Sequence, residues 1–127
     1  MVVTAETKTI RALGGSRLSG RVSIDGAKNA ALPAMAAALL TDEECLLENV
    51  PVLEDVLVME DLLRRLGAEV EFDQANHRIR ICAANVHTFN APPELVARMR
   101  ASFLVSGPLL ARFGRAGSTA PGGCRLG

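Results

Sequence analysis

The stretch Asp25-Gly26-Ala27-Lys28-Asn29-Ala30-Ala31-Leu32-Pro33 constrains this chain more than any other. It sets a lysine and an asparagine at the mouth of a segment that is otherwise almost all alanine, leucine and methionine as far as Leu40. Proline has no N–H, so Pro33 is expected within or beside a first helical turn, which starts a helix near Asn29 or Ala30 and ends it about Leu40. The first N–H groups of such a helix lack intrahelical partners and carry the positive end of its dipole. A cation on Lys28 beside those donors makes a small anion site, with carboxylate or phosphate as the natural guest. The plainer account makes Asn29 an N-cap and Lys28 a solvated charge, and the motif alone leaves both open.

Beyond this segment the hydrophobic period alternates. Thr9–Leu13 and Gly20–Ile24 read as short strands around a Gly14-Gly15-Ser16 turn. Glu44–Val50 reads as a strand closed by Pro51. Val56, Met59, Leu62, Leu63 and Leu66 recur at helical spacing, and Gly67 is placed to cap that helix. Ala68–Asp73 and Arg78–Cys82 alternate with period two around a loop at Gln74–His77. Pro92-Pro93-Glu94 starts a helix carrying Leu95, Val96, Met99 and Phe103, with a break or kink at Gly107-Pro108. The interleaved order is that of an α/β (α+β) chain with one complete β-α-β-α-β-β unit from Gly20 to Cys82 and the start of a second.

A chain of 127 residues with 49% apolar and 22% charged residues has room for one modest packed core and is neither disordered nor membrane-spanning. The apolar run from Ala30 to Leu40 is too short to cross a bilayer, and the N-terminus has no signal-peptide pattern, so a cytoplasmic protein is expected. With no Trp or Tyr there is no stacking platform for single-stranded nucleic acid. The sequence holds no metal or cofactor motif, and no cofactor is expected. The net charge is zero but unevenly spread. Eleven acids lie between Asp42 and Asp73, whereas the chain after Glu94 is purely basic, with Arg98, Arg100, Arg112, Arg115 and Arg125. Either that part faces an anionic ligand, or acidic and basic surfaces meet inside one folded unit.

Cys45 and Cys82 fall in strands, where a cysteine usually packs as a small apolar residue. Cys82 shares a strand face with Arg78 and Arg80. Cys124 differs from both. It sits in the loop Ala120-Pro121-Gly122-Gly123-Cys124-Arg125, where glycines expose the thiol and a neighbouring positive charge raises its reactivity. An incidental surface thiol is the plain alternative.

Gly26–Pro33, Arg64–Ala68, Met99–Ser102, Gly107–Gly114 and Pro121–Cys124 together resemble the UDP-N-acetylglucosamine 1-carboxyvinyltransferase family, over the chain from about Thr9 onward. The resemblance implies the fold of EPSP synthase, an inside-out barrel built of β-α-β-α-β-β units in two domains, with the active site between them. It also implies transfer of the enolpyruvyl group of phosphoenolpyruvate to the 3′-hydroxyl of UDP-N-acetylglucosamine, the first committed step of peptidoglycan synthesis. By the same resemblance Lys28 and Asn29 match the pair that contacts phosphoenolpyruvate, and Arg100 the arginine that contacts the nucleotide sugar. Cys124 matches the loop cysteine that donates a proton, can add to phosphoenolpyruvate and is alkylated by fosfomycin-type epoxides. Arg98, Arg112, Arg115 and Arg125 match no site residue and are expected to be solvated or structural.

The resemblance has gaps. Gly117-Ser118-Thr119-Ala120 stands where the family has Val-Ser-Leu before Pro-Gly-Gly, and the sequence ends at Gly127, ahead of the family's Arg-Pro-Val-Asp-Leu segment. Residues 1–24 correspond to strands that pack with the C-terminal domain in the family, and residues 25–127 to an incomplete first domain. The chain alone is thus expected to be inactive, to leave its first strands unpaired and to self-associate through apolar surface. Two alternatives compete: a non-catalytic remnant that binds without turnover, and the shikimate-pathway enolpyruvyl transferase. The Pro-Gly-Gly-Cys loop argues against the second.

Overall fold

The computed structural model describes residues 10–120. From Lys28 onward it is a helical layer packed on one face of a small antiparallel sheet. The elements run α1 (Lys28–Ala37), a 3-10 turn (Ala38–Leu40), β1 (Glu44–Leu47), α2 (Glu54–Leu66), β2 (Glu69–Asp73), β3 (Arg78–Cys82), α3 (Pro93–Arg98), a 3-10 segment (Arg100–Val105) and α4 (Ser106–Phe113).

The sheet order is β1-β3-β2, with β3 antiparallel to both neighbours. Ile79 pairs with Leu47 and Phe72, and Ile81 with Cys45 and Val70, so apolar residues share the inner face. Arg78 and Arg80 point outward with the strand acids. Helix α2 buries Val56, Met59, Leu62, Leu63 and Leu66 on the stripe read from the sequence. A fully buried Leu or Met contributes about 1.5–3 kcal/mol of hydrophobic stabilisation, so this helix is the main anchor of the core. Gly67 ends it at φ 106°, a left-handed cap that glycine adopts without a Cβ penalty. Glu60, nearly buried on the same helix, is satisfied by Arg64 at 2.7 Å, and Arg64 also donates to the Val70 carbonyl at 2.7 Å, tying α2 to β2.

Helix α1 begins earlier than expected, at Lys28, and Pro33 lies in its second turn. The missing Pro33 N–H leaves the Asn29 carbonyl without an i+4 donor on an exposed face, a modest cost. Burial of Ala31, Leu32, Met35 and Ala36 on the other face offsets it.

Three other expectations need correction. The first concerns Ile10–Leu13 and Gly20–Ile24, which form no strand, while Thr9 lies outside the described residues. Among the described residues they have no hydrogen-bonding neighbour, and Ile10, Leu13, Val22 and Ile24 are 82–95% exposed. The β-α-β-α-β-β unit is therefore present only from its first helix onward. Second, the break in the last helical region falls at Met99, which is extended (φ −140°, ψ 116°). Gly107-Pro108 instead lies in the first turn of α4, where a proline needs no N–H partner. Third, the helix opened by Pro92-Pro93-Glu94 ends at Arg98, so Phe103, read as carried on it, lies on the 3-10 segment and is 60% exposed, whereas Met99 is buried.

Candidate functional site

The cleft beside the N-terminus of α1 has a volume of about 850 Å³ and is walled by Lys28, Asn29 and Leu32 of α1, Asp55 of α2, and the run from Arg98 to Ala101 with Phe103 and Leu104. Three of the four residues singled out from the sequence, Lys28, Asn29 and Arg100, thus line one concavity although they come from opposite parts of the described chain. Cys124 lies outside the described residues.

Local sequence explains how each side chain reaches the cleft. Gly26 passes so close to the next loop that a Cβ there would collide with the Asn49 carbonyl oxygen. That contact seats the entry to α1 against Asn49 and Pro51. Ala27 is extended and accepts the N–H groups of Ala30 and Ala31 at 3.1 and 2.9 Å. The Lys28 and Asn29 N–H groups are left without intrahelical partners, as in any first turn. No side chain caps this end, so Asn29 is not the N-cap that the plainer account required. Arg100 enters from the opposite wall because Met99 breaks the helix and the 3-10 segment packs across α1.

Lys28 is not simply solvated either. Its Nζ lies 2.7 Å from Asp55 Oδ2, at the start of α2. Beside it Arg98 Nη2 donates to Glu54 Oε1 at 3.1 Å. Asp55 was not singled out from the sequence; the only signal was a pair of acids opening a helix, which also suits the helix dipole. Arg100 is exposed and, among the described residues, pairs with no acid.

Two other arginines of the basic part, Arg112 and Arg115, hold structure together. Arg112 Nη1 lies 2.9–3.1 Å from the carbonyls of Leu39, Thr41 and Ala83, pinning α4 to the 3-10 turn and to the end of β3. Arg115 stacks over the Phe89 ring at 4.2 Å. Acidic and basic surfaces thus meet at Arg98 and Glu54, while Arg112 bonds backbone carbonyls and Arg100 lines the cleft. Gly117 accepts from the Ala91 N–H at 2.9 Å and donates to the Phe89 carbonyl at 2.8 Å, which anchors the chain just ahead of the Cys124 segment. Cys45 and Cys82 are half-buried free thiols, and Cys45 packs against the core.

Chemically, the cleft offers the Lys28 ammonium beside the Asp55 carboxylate, the guanidinium groups of Arg98 and Arg100, two helix N–H groups without intrahelical partners and an apolar rim at Leu32, Phe103 and Leu104. Such a surface suits an anion attached to an organic body.

Comparison with known proteins identifies the family. The profile of EPSP synthase (3-phosphoshikimate 1-carboxyvinyltransferase) matches residues 13–127. The UDP-N-acetylglucosamine 1-carboxyvinyltransferase of Koribacter versatilis is 53% identical over 116 residues, covering 90% of this chain and 27% of the relative. The enzyme of the same name from Thermotoga petrophila is 54% identical over 114 residues, with the same coverage. That from Afipia carboxidovorans is 47% identical over 126 residues, covering 93% of this chain and 29% of the relative. The chain therefore spans little more than a quarter of the length of these relatives. Among solved structures, the enolpyruvyl transferase NikO from Streptomyces tendae superposes with a TM-score of 0.69 at 30% identity, over 81% of this chain and 24% of that one. The chain belongs to the EPSP synthase (3-phosphoshikimate 1-carboxyvinyltransferase) family, has its enolpyruvyl transferase fold, and is similar to the UDP-N-acetylglucosamine 1-carboxyvinyltransferases.

Proposed function

We propose that this chain supplies one wall of the active site of an enolpyruvyl transferase that moves the enolpyruvyl group of phosphoenolpyruvate to the 3′-hydroxyl of UDP-N-acetylglucosamine and releases phosphate. The observation that carries this reading is the convergence of Lys28, Asn29 and Arg100 on one cleft. In the reaction the methylene carbon of phosphoenolpyruvate gains a proton and the sugar hydroxyl adds to the adjacent carbon. Loss of phosphate and of a proton from the new methyl group then restores the double bond. Lys28 and the first N–H groups of α1 hold the anionic groups of phosphoenolpyruvate, Asn29 orients it, and Arg100 holds the nucleotide sugar. Cys124 donates the proton to the methylene carbon. The setting is the cytoplasm, at the first committed step of peptidoglycan synthesis.

On this reading residues 25–127 are part of a first domain, and residues 1–24 pack with a second. The exposed Val22 and Ile24 support that division, since so apolar a segment needs a surface to join. The 127-residue chain by itself has one wall of the cleft, self-associates through this apolar surface and turns over no substrate, because proximity of both substrates is a large part of the rate.

The test is a chimera in which this chain replaces the matching N-terminal residues of the Thermotoga petrophila relative. Phosphate release with phosphoenolpyruvate and UDP-N-acetylglucosamine is expected, and its collapse in Cys124→Ser, since a hydroxyl is a far weaker acid than a thiol. Near-normal turnover by the serine variant removes Cys124 from its role. Cys124→Asp keeps an acid and is expected to stay active while resisting epoxide inhibitors. Turnover with 3-phosphoshikimate in place of the sugar nucleotide would select the shikimate-type reaction instead.

A further inference from the structure

We infer that Asp55 is a positioning residue for Lys28, holding the lysine ammonium at the mouth of the cleft where an anionic substrate meets it. The inference rests on the proposed enolpyruvyl transferase reading and assigns a role to a side chain that the reading leaves idle. Lys28 is the first residue of α1, and the first turn of that helix carries no acid. A cation there faces the positive end of the helix dipole, which is an unfavourable placement. Its stem is flexible and about half exposed. With nothing to hold it, the ammonium would swing away from the helix end and into solvent.

Asp55 supplies what α1 lacks. It sits in the first turn of α2, where its charge suits the dipole of its own helix, and its side chain is 33% exposed, less than that of the lysine. The 2.7 Å contact fixes the ammonium inside the cleft wall, since Asp55 lines the same cavity. An ammonium has three protons, so one bond to Asp55 leaves two for a ligand. The neighbouring residue repeats the arrangement, Glu54 taking Arg98 from the end of α3. The start of α2 thus brackets cations from two other helices, which would otherwise repel each other and Arg100 across the cleft.

The opposing effect is that Asp55 also repels an incoming anion. Coulomb energies fall as the inverse of distance, so an anion about 3 Å from Nζ and about 5 Å from the carboxylate is attracted more than it is repelled. Placement of the ammonium decides the outcome.

The test titrates phosphoenolpyruvate, with inorganic phosphate as comparator, into the chimera carrying this chain while amide NMR shifts are followed at Lys28, Asn29 and Ala30. Asp55→Asn is expected to weaken phosphoenolpyruvate by about three- to tenfold, the scale of a partly exposed ion pair. Asp55→Glu, which keeps the charge, is expected to recover most of the loss. In a Lys28→Met background Asp55→Asn should add nothing, because the residue it positions is gone. Equal weakening in both backgrounds would show that Asp55 only stabilises α2, and unchanged or tighter binding in Asp55→Asn would show that it competes with the ligand; either overturns the inference. Side-chain nitrogen relaxation of Lys28 in the unmutated chimera gives a readout that needs no variant. A restrained ammonium is expected, and one moving freely also overturns it. Absence of any shift in the unmutated chimera refutes the anion site itself, an outcome distinct from a site that binds but ignores Asp55.

Discussion

The cleft and the outer face of the sheet are built from the same residue types, yet their charges are arranged to opposite effect. On the sheet Arg80 lies between Glu44 and Glu71, 3.3 Å from each, and Arg78 pairs with Glu48 at 2.9 Å. Every arginine there has an acid beside it in the ladder, and all these side chains are at least half exposed. In the cleft Lys28 and Arg98 are paired with acids from α2, but among the described residues Arg100 has no acid and the first N–H groups of α1 are open. A count of charges treats the two surfaces alike. What separates them is the positive group left over, in a concavity with an apolar rim. Surplus charge in a recess, rather than charge itself, is the mark of a binding site.

The sharpest way to break the comparison is to remove one cation from each surface. Lys28→Ala in the chimera should weaken phosphoenolpyruvate by about ten- to a hundredfold, the loss of a charge-assisted contact of about 1.5–3 kcal/mol. UDP-N-acetylglucosamine should be nearly unaffected. Equal weakening of both ligands would mean a folding defect, and no change in either would return Lys28 to a purely structural pair with Asp55. Isothermal titration with each ligand separates these results.

Gly26→Ala probes whether the cleft depends on how α1 is seated. The added Cβ would strike the Asn49 carbonyl, a backbone atom that cannot rotate away, so the entry to α1 must shift. Overpacking of this kind costs about 1–3 kcal/mol. The midpoint of urea unfolding should fall, with binding lost beyond what the stability change explains. A fall in stability with binding intact would show that Lys28 finds its place without this contact.

Much of the fold was legible because it depends on local pattern. The stripe from Val56 to Leu66 and the Gly67 cap require only helical spacing and a residue that accepts positive φ. Strands β2 and β3 need only period two around a polar turn. Readings failed where the deciding atoms lie elsewhere. Val22 and Ile24 alternate as a strand should, but a strand exists only against a neighbour, and none is present among the described residues. Met99 looks like one more apolar position of a helix, yet packing of the 3-10 segment on α1 makes it the break. Of the candidate site residues, Lys28 and Asn29 were marked by the helix mouth and by the resemblance, Arg100 by the resemblance, and all three line one cleft. Asp55 was missed because its partner lies on another helix, and nothing near it in sequence names that partner.

On the sheet the expected effects are smaller. Arg80→Ala leaves Glu44 and Glu71 facing each other across β3 but in full contact with water. Such exposed pairs are worth about 0–1 kcal/mol, so thermal unfolding should shift slightly and ligand binding should not change. A loss of phosphoenolpyruvate affinity in this variant would mean that the two surfaces are coupled through the core, which would end the contrast between them.

The smallest effect is expected at the β2–β3 turn, and it appears only in acid. The Asn76 side chain donates to Asp73 Oδ2 at 2.7 Å and the Asn76 N–H to Oδ1 at 3.1 Å. These bonds, with the Asn76 side chain first, hold the Asp73 carboxyl below the ordinary carboxylate value of 3.8. A group whose pKa is lowered by folding stabilises the folded state above its unfolded pKa, and the contribution fades as the pH falls through the lowered value. The turn should therefore be tightest from neutral pH down to about pH 4 and loosen below that. Asp73→Asn should flatten this part of the pH dependence by removing the small neutral-pH contribution of the carboxylate, a slight loss because the group is fully exposed and an amide oxygen can still accept from the Asn76 N–H. Amide hydrogen exchange at Asn76 and His77, compared between pH 5 and pH 3 in both chains, reads the turn directly. An equal acid response in the two would show that it does not come from Asp73.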